Sequence, residues 1–328
     1  MKKGKILTIP LIRSVLRHSF PQKEESAFRY DGAVLHAQTT VVYGGEHAEA
    51  LCFYRALNAA LCEGMHPESL QLLLTLPESE TETALDERMR KFECLAESEN
   101  IRVSGGHTAF SDKVSSPVLS AVLSGEFGEI RADTAPNPVK TLFDLADSAG
   151  QSAPALLMIG TAGECGAGIY LQESREALAE RFSADFLFGA EIREQRLSVR
   201  KAAEILRAQD ALLYPLSEGG LLSALYGFSE GYGTGFSADL LSVPIRQETV
   251  EICNFFDINP YELWSEGALL AAAADREAAL SALRSSGIPA AVIGQLLPGK
   301  QKIILKKDEE SFLERPKQDP VMRLSNFG

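Results

Sequence analysis

The apolar residues of this chain come in short runs closed by glycine or proline. LQLLLTL stops at Pro77, PALLMIG stops at Gly160, GALLAAAA begins at Gly267, and AAVI runs into Gly294. Runs of that length are strands of a sheet; a membrane span needs roughly 20 consecutive apolar residues. Between them lie segments of helical spacing. From His47 to Gly64, residues Ala50, Leu51, Tyr54, Leu57, Ala60 and Leu61 recur at that spacing, and Thr81–Ser98 reads as a charged amphipathic helix. Helices are also expected over Ser174–Phe182, Leu197–Ala208 and Leu221–Ser229. Tyr30–Tyr43 (AVLHA, TTVVY) reads as paired strands, and Ile101–Val103 with Val118–Gly125 as a second pair around the turn SGGHT. The chain is therefore expected to be α+β, with mixed sheets under covering helices.

At 328 residues there is room for about two domains. The Asp, Ala, Pro and Asn of RADTAPNPVK have the look of a linker and place the boundary near residue 140. The organisation expected is an N-terminal domain over 1–140, a C-terminal domain over 141–305, and a charged, proline-broken surface tail over 306–328. Lys+Arg 32 against Asp+Glu 45 leaves a net charge of −13, the wrong sign for coating nucleic acid phosphates or an anionic membrane. Neither is expected as a partner. The first twenty residues carry Pro10, Arg13 and Arg17 within their apolar stretch and no small-residue cleavage site, so a cytoplasmic setting is expected. Cys52, Cys62, Cys94, Cys165 and Cys253 form no CxxC pair and read as reduced, mostly buried thiols.

Common catalytic signatures are missing from the sequence. There is no GxxxxGK[ST], no HExxH and no Ser/His/Asp set, and the glycines of GTAGECGAG (160, 163, 166, 168) nowhere give GxGxxG. The five histidines all precede residue 110. His107 stands out because it sits among the glycines of SGGHT, whose backbone amides could face an anion; the other reading of SGGHT is a plain hairpin turn.

Taken in order, YDGAVL (Tyr30–Leu35), SGGHT, the glycine turn at 160–168, SEGGLLSALYGFSEGYGTGF (Ser217–Phe236) and VPIRQETVEICNFFDINPYELWSEGALLAA (Val243–Ala272) form a combination. With it the sequence resembles the aminoimidazole-ribonucleotide-synthetase-related (PurM-like) superfamily, over about residues 1 to 300, closest to its HypE-type hydrogenase maturation members. The resemblance implies a two-domain α+β subunit whose N-terminal sheets pair into a shared β-barrel in a homodimer, with ATP in a cleft between domains. It implies phosphoryl transfer with Mg2+ held by acids and phosphates held by glycine-rich turns.

Carried over residue by residue, the resemblance makes Asp31 the candidate metal ligand and, with Glu218, the candidate catalytic acid. Gly105, Gly106, His107, Thr108, Ser217, Gly219 and Gly220 become the candidate nucleotide-binding residues. Three family acids have no counterpart. TTVVYGG holds no carboxylate, Ala59 follows Asn58 where the family has an Asn-Asp pair, and Tyr214-Pro215 replaces a His-Asp pair. The HypE-type C-terminal cysteine has no counterpart after Cys253 either. Weakened ATP and Mg2+ binding is expected, in a small-phosphate binder or regulatory pseudoenzyme. The alternative is an active ATP-dependent enzyme that uses Asp31, Glu218 and Asp112.

Overall fold

A computed structural model of the chain describes residues 26–29, 35–127, 137–307 and 309–324. Its architecture turns on one helix, α1 (Ala48–Cys62), whose sequence AEALCFYRALNAALC is apolar around nearly its whole circumference. Such a helix must be covered on every side. All of it is buried except the partly open Arg55 and Ala59. One side packs on the N-terminal sheet; the other meets strand β7 (Leu212–Pro215) and helix α7 (Arg200–Arg207) of the C-terminal half.

The N-terminal sheet contains β1 (Ser26–Arg29), β2 (Leu35–Val42), β3 (Met65–Pro77), β4 (Arg102–Ser111) and β5 (Val118–Phe127), in the spatial order β1-β2-β5-β3-β4. It is open, with β1 and β4 at its edges. Along β3 the side chains alternate: Leu70, Leu72, Leu74 and Leu76 are buried, while Gln71 and Leu73 are exposed on the other face. Helix α2 (Glu82–Ser98), whose Ala84 amide donates to the hydroxyl of its N-cap Thr81, links β3 to β4. That helical crossover is what allows the two strands to run parallel.

Two local expectations change here. Leu35–Val42 is a single strand pairing with β1 and β5, and Tyr30–Val34 lie outside the described residues. SGGHT is not a hairpin turn between Ile101–Val103 and Val118–Gly125. It lies inside β4, which pairs with β3, setting Gly105 beside Gln71, Gly106 beside Leu72 and His107 beside Leu73. Gly106 reflects close backbone approach: a Cβ there would stand 1.8 Å from the carbonyl oxygen of Leu72, at a φ of +152°.

The C-terminal half carries a seven-stranded sheet ordered β12-β11-β8-β10-β6-β9-β7. Its strands besides β7 are β6 (Ala155–Ile159), β8 (Gly235–Asp239), β9 (Leu269–Ala273), β10 (Ala290–Leu297), β11 (Lys302–Lys306) and β12 (Glu309–Phe312). The runs PALLMI and GALLAAA form central strands covered on both faces, and alternation divides their side chains between two cores. Leu157, Ile159, Leu213, Ala271 and Ala273 join α1 in one core. There they meet α4 (Glu164–Glu173), α5 (Arg175–Ala179), α6 (Ala184–Ala190), α7, α9 (Gln247–Phe255) and α10 (Arg276–Ser285). Leu156, Met158, Leu212, Leu270 and Ala272 face the second core, under α3 (Pro138–Ser148) and α8 (Gly220–Tyr232).

The linker-like stretch before residue 150 is thus partly helical. Asn137 caps α3 through the Lys140 amide at 3.0 Å, and Leu142 and Ala146 are buried in the second core. The segment expected as a surface tail is also different. β12 adds an antiparallel strand to β11, and Asp319, Pro320 and Val321 are buried. Its charged residues Glu314, Arg315 and Lys317 do face solvent, but the Asp-Pro-Val step turns inward. The cysteines are free thiols, Cys94 exposed and the other four buried. Among the described residues no helix is long and apolar enough to cross a membrane.

Because Leu57 is fully buried in α1, Leu57→Ala is expected to lower the unfolding free energy by about 2–5 kcal/mol, measured by urea denaturation.

Candidate functional site at the junction of the two halves

The loop after β7 runs Leu216-Ser217-Glu218-Gly219 into α8, with Gly219 and Gly220 at φ of +83° and +60°. A side chain at Gly220 is barred by close backbone approach, since its Cβ would lie 2.5 Å from the Leu263 carbonyl oxygen and 2.8 Å from that of Tyr261. The segment crossing the turn holds Ser265. Its amide donates to the Ser217 carbonyl at 3.2 Å, and its Oγ accepts from the Gly163 amide at 2.8 Å. The glycine turn that opens α4 and the one that opens α8 are therefore tied to one residue.

Helix α1 supplies the other wall. Arg55 and Asn58, three residues apart, lie on one helix face. Arg55 Nη1 donates to Glu218 Oε2 at 3.3 Å, and its guanidinium lies 5.6 Å from the ring centre of Trp264, within cation–π range. Asn58 Nδ2 donates to Glu266 Oε1 at 2.6 Å and to the Leu197 carbonyl at 2.7 Å, while its Oδ1 accepts from the Val199 amide at 3.0 Å. The Trp264 indole N–H donates to the other oxygen of Glu266 at 3.3 Å. Glu218 and Glu266 are buried, and each is matched by a donor from α1.

The third wall is the C-terminal segment. Asp319, 2% exposed, accepts from the Gly219 amide through Oδ2 at 2.6 Å and from the Val321 amide through Oδ1 at 3.0 Å. Burial pushes its carboxyl up to about 8. The two amides and Arg55 pull against that rise, while the charge of Glu218 adds to it. Nearby, burial and then the charge of Glu266 push the Cys165 thiol well above its ordinary value, which favours the neutral thiol. Burial also pushes the Glu164 carboxyl up, but the Thr161 hydroxyl and the guanidinium groups of Arg246 and Arg196 outweigh it and hold Glu164 below its usual value.

Of the residues picked out in the sequence, Ser217, Glu218, Gly219 and Gly220 meet at this junction. Gly105, Gly106, His107 and Thr108 belong to the edge strand of the other sheet. Asp112 is exposed and pairs with Lys113 at 2.6 Å, and Asp31 lies outside the described residues. Arg55, Asn58, Trp264, Glu266 and Asp319 escaped the sequence reading. Two signals for them exist: an asparagine within a helix otherwise apolar all round, and the lone tryptophan of WSEG ahead of an apolar strand.

The groups around α8 that would face a nucleotide and magnesium, which the fold family implies, are engaged within the chain. The Gly219 amide is taken by Asp319, the Gly220 amide donates to the Ser217 carbonyl at 3.0 Å, and Glu218 is held by Arg55. Among the described residues no group of three or more His, Cys, Asp or Glu side chains could hold a metal ion.

Residues 154–306 match the family model of the AIR synthase related protein C-terminal domain. This α+β architecture is shared with solved structures of the PurM-like kind. The structure of a HypE–HypF complex superposes with a TM-score of 0.73 at 19% identity, covering 93% of this chain and 99% of that one. HypE in complex with ATP superposes at 0.69 and 19% identity, covering 95% and 96%. A Methanocaldococcus jannaschii protein named for hydrogenase expression and formation is 23% identical over 92% of this chain and 85% of its own. The carbamoyl dehydratase HypE of Cupriavidus necator is 28% identical over 47% of this chain and 43% of its own. The C-terminal half thus matches the AIR synthase related domain family, and the whole chain shares its fold with the HypE structures. Among its curated relatives, the proteins it is similar to include a HypE and a hydrogenase expression/formation protein.

A carboxyl held above its unfolded value of 3.8 contributes stability that is complete below about pH 4 and lost as pH rises through about 8. Thermal melts of wild type should therefore fall further between pH 6 and pH 9 than those of Asp319→Asn. Taking the difference between the two proteins cancels the ionisation of buried thiols in the unfolded chain.

Proposed function

We propose that this chain is a HypE-related, PurM-like protein whose ATP–magnesium site is weakened, so that it binds a nucleotide or small phosphate weakly in a regulatory rather than catalytic role. The observation that carries this reading is how the junction uses its carboxylates. Where the family resemblance implies acids directed at magnesium, Ala59 and Pro215 stand in the chain, and the acids that remain, Glu218 and Glu266, serve Arg55, Asn58 and Trp264. Removing carboxylates from a Mg·ATP site leaves the metal to water and phosphate. A HypE structure contains ATP and a HypE relative is a carbamoyl dehydratase, so the competing reading is an active ATP-dependent enzyme with a rearranged set of acids that includes Asp31.

Calorimetry with ATP separates the two. Magnesium is expected to change nucleotide affinity by no more than about threefold. Submicromolar Mg·ATP binding together with steady ADP release would replace the regulatory reading with the enzymatic one.

The same reading includes a homodimer built through the N-terminal sheet, the barrel arrangement implied by the resemblance. Its support is the sheet face turned away from α1, where Leu73 is 43% exposed between strands β4 and β5. Light scattering is expected to report a dimer for wild type and a monomer for Leu73→Glu. A wild-type monomer at micromolar concentration would overturn the dimer.

A further inference from the structure

We draw no further inference here: the strongest candidate, the charged side-chain cluster at the start of α1 where Glu194 meets His47 at 2.8 Å and Lys91 at 3.3 Å while Glu49 and Glu80 both meet Arg88, is a set of ion pairs closed within the chain, and nothing among the described residues there points to a ligand.

Discussion

The rest of the structure depends on the need to cover α1 on all sides. A helix with apolar residues on its whole circumference cannot end up on a surface, so the N-terminal sheet takes one side and β7 with α7 take the other. Two of the polar residues it carries, Arg55 and Asn58, are then forced into the junction and need partners there. Glu218 and Glu266 answer that need, with the Trp264 ring facing the Arg55 guanidinium and its N–H bonded to Glu266. The site is in this sense a by-product of packing: the position of α1 decides which carboxylates can be buried nearby at tolerable cost.

Charges in such a place are expensive to bury and more expensive to leave alone. Removing one partner of a buried pair costs about 3–5 kcal/mol, whereas replacing the whole pair with apolar groups is often neutral. The junction holds its acids in a connected set, in which Arg55 faces Glu218 and Asn58 bridges Glu266 to the backbone ahead of α7. Asp319 is met by two backbone amides instead, and the cost of burying it shows in a carboxyl pushed up to about 8. A carboxyl group so placed is poised between holding a proton and accepting hydrogen bonds as an anion.

Much of the fold could be read from local pattern, because local pattern reflects burial by period. The helices α1 and α2, the alternating strand β3 and the two-faced strands β6 and β9 all announce themselves that way, and the order of motifs along the chain points to the superfamily. What could not be read depends on distant partners. SGGHT looks like a turn, yet it lies within a strand and Gly106 makes room for the Leu72 carbonyl of a neighbouring strand. Ser265 has no signature that would reveal it as the tie between two glycine turns, and nothing near Asp319 says that its partner lies at Gly219. The SEGG motif itself was visible; that its amides are already satisfied within the chain was not.

The first core draws side chains from both halves: Phe53 and Leu57 of α1 share it with Leu157, Leu206 and Ala271. The composition change near residue 140 therefore falls between two stretches that share this core. The second core, by contrast, is built from residues of the C-terminal half alone, from Leu142 to Ile304. A piece severed there would keep its strands but lose the surface that makes its central helix soluble. Any splitting or recombination of the halves has to treat α1 as common property.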